Sequence, residues 1–226
     1  MDRVAIKTKA KELIKGNKWY IWKPWLIVGL IAAAVIFVGA FVDGLLGFVK
    51  EETTEILGTK VTQYSMGPFS AVISFVVSIF EASFMVWYAK FLIDFVHGVK
   101  TEFSVKAVFE FFKKHWLLCW AVSLLVELNI GLGFILLIVP GIMATFGLMF
   151  YAYVQSEDPT LGVTDVLRKA WALTNGHKME LFVLILSFIG WEILAGFTLG
   201  ILYIWLMPYM IVTATLAYEA LKGTTK

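Results

Sequence analysis

The chain has 226 residues, of which 60% are hydrophobic and 16% charged, and its formal net charge at pH 7 is +2. Its mean hydropathy of +0.82 and its apolar content lie well above those of soluble domains, in which about 45–50% of residues are apolar. The composition therefore excludes an ordinary water-soluble domain and predicts a protein whose surface faces lipid, and the small net charge gives no sign of a nucleic-acid partner.

The N-terminal segment, residues 2–15, is rich in lysine and has enough apolar residues to form an apolar face of a helix. A basic amphipathic helix of this kind lies in the headgroup layer of a membrane. We expect Lys7, Lys9, Lys11 and Lys15 to contact the headgroups of anionic lipids in the inner leaflet.

Six apolar runs follow, and each is interpreted as a transmembrane helix because about 20 apolar residues cross a hydrocarbon core of about 30 Å. They are residues 25–42, 69–96, 117–139, 142–154, 181–199 and 201–221. Pro140 and Gly141 predict a tight reversal between the third and fourth runs. The alternative is one kinked helix over residues 116–153, but at about 1.5 Å per residue it would be much longer than the membrane is thick. The sequence thus predicts an all-α polytopic membrane helix bundle with six transmembrane helices.

Two more basic amphipathic segments, residues 104–114 and 163–173, precede later pairs of apolar runs. With residues 2–15 they predict three amphipathic interfacial helices. The chain is then a single integral membrane domain, residues 1–226, of three units, residues 1–97, 98–155 and 156–226, each an amphipathic helix plus a transmembrane hairpin. Ordinary cytoplasmic loops that happen to be amphipathic are the alternative interpretation.

Lysine and arginine are concentrated in residues 1–24, 98–115, 156–180 and 219–226, whereas the loop at residues 50–66 has only two lysines. Positive charge is retained on the cytoplasmic side of membrane proteins. We therefore expect both the N-terminus and the C-terminus to lie in the cytoplasm.

Three glutamates, Glu81, Glu127 and Glu192, fall in the middle part of their predicted spans. A charged group at the bilayer centre costs about 2.5–3.5 kcal/mol on insertion scales, so each carboxylate should face a protein interior or a wet cavity. If the three converge, they form a candidate intramembrane site for a proton or a cation. Alternatively, each glutamate hydrogen-bonds within its own helix neighbourhood.

Familiar motifs of catalysis and cofactor binding are missing from the sequence, among them the zinc-protease, nucleophile-elbow and phosphate-loop patterns. Cys119 is the one cysteine, so an internal disulfide is excluded. His97, His115 and His177 lack the neighbours of a metal site. We expect a protein that is not an enzyme, with no cofactor and no metal.

The C-terminal half has two more specific strings, Phe188-Ile189-Gly190-Trp191 and Trp205 followed by Pro208-Tyr209. With them, residues 104–221 resemble a bacterial family of uncharacterised integral membrane proteins, one of the numbered families of unknown function common in Firmicutes. The resemblance implies a multi-pass protein of the bacterial cytoplasmic membrane and no particular reaction or ligand.

Four residues in these strings, Gly190, Trp191, Pro208 and Tyr209, form a candidate helix-break or packing site. Glycine permits close approach of helices, and proline within a helix frees a backbone carbonyl.

Two functions fit this sequence. The favoured one is a membrane-embedded interaction protein of envelope homeostasis or protection, with membrane lipids, another membrane protein or a second copy as partner. The alternative is a transporter of a small solute, an ion or a proton that uses the three glutamates.

Overall fold

The structure, a computed structural model, describes residues 2–49, 51–56, 59–64 and 67–224. The described helices confirm the all-α class. They are α1 (Arg3–Ile14), α2 (Lys18–Leu45), α3 (Pro68–Val96), α4 (Val105–Leu136), α5 (Ile138–Leu148), α6 (Tyr151–Glu157), α7 (Val163–Thr174), α8 (Lys178–Leu186), α9 (Ile189–Phe197) and α10 (Tyr203–Thr224). The sequence analysis did not predict the small antiparallel hairpin of β1 (Glu51–Ile56) and β2 (Thr59–Tyr64), in which Glu51 pairs with Tyr64.

Six helical stretches in the described residues are long and apolar enough to cross a membrane, as predicted. They are Lys18–Leu45, Pro68–Val96, Val105–Leu136, Ile138–Glu157, Lys178–Phe197 and Tyr203–Gly223. Large apolar side chains are exposed along these stretches, as at Ile135 and Phe197. Such surface is stable in lipid rather than in water, so the fold is that of a multi-pass membrane protein.

The reversal between the third and fourth stretches exists, but it lies three residues before the predicted place. Leu137, with φ −166° and ψ 155°, separates α4 from α5. Pro140 instead occupies the first turn of α5, where a backbone N–H has no partner within the helix and its loss costs little. The two helices come close there, because a Cβ added to Gly133 would lie 2.9 Å from the Cα of Gly141.

Two of the three predicted amphipathic helices are confirmed, as α1 and α7. The second is wrong as a separate helix, because residues 104–114 lead without a break into the third span as part of α4. The difference lies in the residues that directly follow each segment. Gly16 and Gly176 take φ values of +83° and +79° just after α1 and α7, which ends those helices. No glycine directly follows Lys114.

Helices α1 and α7 match each other position by position. Each has 12 residues, and each buries its fourth, eighth and twelfth residues. These are Ile6, Ala10 and Ile14 in α1, and Val166, Ala170 and Thr174 in α7. The first and third predicted units therefore begin with the same helix-turn-helix geometry, while the division of the whole chain into three units stays a prediction.

By its internal contacts the chain forms two compact units, Met1–Pro24 with Ala82–Lys226, and Trp25–Glu81. In the smaller unit, the buried carboxylate of Asp43 accepts hydrogen bonds from the backbone N–H groups of Phe69 and Ser70, at 3.1 and 2.7 Å. Asp43 thus satisfies donors in the first turn of α3 that have no partner in the helix.

In the larger unit, α3, α4 and α6 meet in a core that contains Val86, Ala89, Cys119 and Ala152. Helix α1 packs on α10, and α7 packs on α4, α5 and α6. Both amphipathic helices therefore bury their apolar faces against other helices of the protein.

Candidate functional site

The sixth span is one continuous helix, α10, with Pro208 inside it. Pro208 has no N–H, so the carbonyl of Ile204, four residues earlier, loses its helical partner. The indole N–H of Trp22 donates to that carbonyl oxygen at 2.9 Å. The start of α2 is thereby tied to α10.

The fifth span is interrupted at Ser187 and Phe188, between α8 and α9. Phe188 is buried, and its ring meets that of Tyr209 edge-on with 5.1 Å between centroids. The structure shows no close approach of helices at Gly190, because a Cβ added there would meet nothing within 4 Å. Trp191 is exposed. Phe188 and Tyr209, rather than Gly190 and Trp191, make the packing contact at the break.

Two lysines of α1 face this break. The Nζ of Lys7 lies 2.5 Å from the Oγ of Ser187 and 4.2 Å from the centroid of the Phe188 ring. The Nζ of Lys11 lies 5.6 Å from the Tyr209 centroid. Partial burial, together with the charge of Lys11, lowers the pKa of Lys7 below its ordinary value. The headgroup contacts predicted for Lys7, Lys9, Lys11 and Lys15 stay a prediction; Lys9, Lys11 and Lys15 are exposed, and Lys7 is partly buried.

The three glutamates have different surroundings. Glu192 accepts a hydrogen bond from the hydroxyl of Tyr203. Glu127 is exposed, and no hydrogen bond joins it to Glu192 within the described residues. Glu81 belongs to the unit Trp25–Glu81. The structure thus pairs Glu192 with a tyrosine and does not join it to Glu127.

Ionic contacts that the sequence analysis missed link the last turns of three helices. Glu219 of α10 lies 3.1 Å from His97, just after α3, and Lys222 of α10 lies 2.5 Å from Glu157 of α6. The partners are 122 and 65 residues apart, and no local pattern relates them. Close by in sequence, Gln155 is fully buried, and its amide atoms have no hydrogen-bond partner in the described part of the chain.

A groove of about 700 Å³ lies between α4, α5 and α7. Its apolar lining includes Leu132 and Leu136 of α4, Ala144 and Leu148 of α5, and Trp171 of α7. Three polar residues, Asn129, Arg168 and Asn175, complete this α7 groove. The size falls within the range of sites that bind small molecules, about 300–1,000 Å³.

One wall of the α7 groove is fixed by direct contacts. The hydroxyl of Thr174 donates to the carbonyl of Gly147 at 3.0 Å, which holds the end of α7 against α5. Trp171 packs over Gly147, where a Cβ would overlap the indole. The Nζ of Lys178 lies 3.2 Å from a ring centroid of Trp171, so a cation also stands beside this wall.

Sequence analysis missed the α7 groove because its walls come from three helices that are separate in the sequence. The sequence feature that relates to this groove is Arg168, an arginine among the apolar residues of an amphipathic segment that precedes a span. That pattern indicates an interfacial helix, and it does not indicate which helix will lie opposite.

Together these features define a helical multi-pass membrane protein with an open groove between α4, α5 and α7. A family model described as "Protein of unknown function (DUF975)" matches residues 124–225. The chain is thus similar to an uncharacterised family over the end of α4 and all of α5 to α10, in agreement with the resemblance drawn from the C-terminal strings. The chain matches no curated protein and no solved structure.

Proposed function

We propose that the protein is a non-enzymatic, multi-pass protein of a bacterial cytoplasmic membrane that binds another membrane component, in a role of envelope homeostasis or protection. The observation that carries this proposal is the α7 groove. The walls from α4 and α5 belong to helical stretches long and apolar enough to span the bilayer, so molecules dissolved in the membrane can reach the groove from that side.

The composition of the groove supports binding rather than simple packing. Its lining is mostly apolar, with a few polar side chains to orient an occupant, as in known small-molecule sites. The contacts of Thr174 and Trp171 with α5 hold the wall in place. A wall that is already ordered loses little entropy when a ligand binds.

Photo-crosslinking tests this proposal. A benzoylphenylalanine at Leu136 places the reactive group in the groove, and the same residue at Ile135 is the matched control, because Ile135 is exposed next to it and does not line the groove. We expect an adduct in membranes at Leu136 well above that at Ile135. Equal labelling at the two positions would contradict the proposal.

A second candidate function is transport of a proton or a cation that involves Glu81, Glu127 and Glu192. Glu192 favours it, since the structure places this acidic side chain within an apolar span, where ionisable groups mark paths for protons and ions. Purified protein in liposomes should then take up protons or cations, and Glu192→Gln should abolish the uptake. If wild-type liposomes are no more permeable than empty ones, transport is excluded.

A further inference from the structure

We propose that the α7 groove binds an anionic phospholipid, with an acyl chain along α4 and α5 and the phosphate at Arg168. This inference rests on the proposed function, which requires only that the groove bind some membrane component.

The walls from α4 and α5 suit an acyl chain. Leu132 and Leu136 are 57% and 73% exposed, and both open onto the groove. From Asn129 to Leu136 the helix rises by about 10 Å, at 1.5 Å per residue, so the wall is an extended apolar strip. A polar solute on that strip would lose its hydration without hydrogen bonds in return, whereas hydrocarbon would not.

Helix α7 provides the group for the phosphate. The side chain of Arg168 is 80% exposed, and its ion pair among the described residues, with Asp165, is long at 3.8 Å. A guanidinium forms paired hydrogen bonds with phosphate oxygens. Asn175, just after α7 and about two helical turns beyond Arg168, lines the same groove, and its carboxamide can donate to an oxygen of a headgroup.

Matching positions of α1 and α7 have different surroundings. At the fifth position of α1, the partly buried Lys7 lies against Ser187 and Phe188, and at the ninth the exposed Lys11 lies 5.6 Å from the centroid of the Tyr209 ring. The fifth and ninth positions of α7 are Leu167 and Trp171, and both line the open groove. This face of α1 therefore has a hydroxyl and two aromatic rings of the protein beside its cations, whereas the matching face of α7 borders the open groove.

Lipid retention by the purified full-length protein tests the inference. Native mass spectrometry would measure binding of phosphatidylglycerol and of phosphatidylcholine with identical acyl chains. We expect Arg168→Gln to weaken phosphatidylglycerol binding about fivefold, which corresponds to about 1 kcal/mol for one cation near an anionic headgroup. The matched control is Lys169→Gln, which removes the adjacent exposed cation outside the groove and should retain wild-type binding.

A second variant separates loss of the site from loss of the fold. Ala172 is exposed and lines the groove, so Ala172→Trp fills the space without disturbing a buried position. We expect loss of both lipids with an unchanged helical circular dichroism spectrum. Wild-type binding by Arg168→Gln, or equal losses in Arg168→Gln and Lys169→Gln, would overturn the phosphate assignment.

The adduct at Leu136 distinguishes this inference from the function on which it rests. A phospholipid adduct supports both. A polypeptide adduct overturns the lipid assignment and leaves the binding function standing, and labelling no greater than at Ile135 overturns both.

Discussion

The hydrogen bond from the indole N–H of Trp22 to the carbonyl oxygen of Ile204 should contribute measurably to the free energy of unfolding, because Pro208 leaves that carbonyl without its helical partner. In an unbroken helix the N–H of residue 208 would bond that carbonyl, and proline removes this donor. Trp22→Phe keeps an aromatic ring but removes the indole N–H. An unpaired carbonyl costs about 1–3 kcal/mol when it is buried, but Ile204 is exposed on the protein, and interhelical hydrogen bonds in membranes average nearer to about 0.6 kcal/mol. We therefore expect a loss of about 1 kcal/mol in the free energy of unfolding.

A double-mutant cycle isolates this bond from other effects of the tryptophan. In Pro208→Ala the backbone N–H at position 208 returns and can bond Ile204 along the helix, so the indole is no longer required. Trp22→Phe should then cost clearly less in the Pro208→Ala background, with a coupling of about 0.5–1 kcal/mol. Unfolding in mixed micelles, followed by circular dichroism, measures all four proteins. The same cost in both backgrounds would refute the argument.

Three further predictions concern packing, capping and topology. Gly133→Val should destabilise the protein by about 1–3 kcal/mol, because the added side chain forces α4 away from α5. The control is Gly131→Val, which should cost about 1 kcal/mol or less because a Cβ added there meets nothing within 4 Å. Equal costs in thermal unfolding would contradict this account. Asp43→Ala should lower the free energy of unfolding by about 1–2 kcal/mol by removing the acceptor for the first turn of α3, and an unchanged melting temperature would oppose it. A cysteine at Gly223, in a chain that has Cys119→Ser, should react with an impermeant maleimide only after the cells are opened, and labelling of intact cells would reverse the predicted orientation.

The features that the sequence predicted correctly depend on neighbours in the chain. The six spans follow from the length and composition of apolar runs, and each of those properties is local. The role of Pro208 was also predictable, because the missing N–H always frees the carbonyl four residues earlier. Which donor would reach Ile204 was not predictable, since Trp22 is 182 residues away.

The wrong prediction of a separate helix at residues 104–114 shows the limit of periodicity. Helical spacing of apolar residues indicates a helix, but it does not show where that helix ends. A glycine shortly after a helix is a stop signal, and the sequence has one after α1, Gly16, and one after α7, Gly176. No glycine stands at the matching place after Lys114. Without a stop signal, residues 104–114 and the third span are expected to form one helix, as they do in α4. The exact position of Leu137 between α4 and α5 has no such signal.

The placement of the basic residues changes where lipid binding is expected. The sequence favoured α1, on the argument that lysines on an amphipathic helix contact anionic headgroups. In the structure, Lys7 and Lys11 of α1 lie against a hydroxyl and two aromatic rings of α8 to α10. A cation held by protein gains less from a headgroup, because it must first give up those contacts. Arg168 of α7 has one long ion pair and a largely exposed side chain beside an open apolar groove. Arg168 therefore combines access with an apolar surface, and the first lipid-binding variants belong on α7.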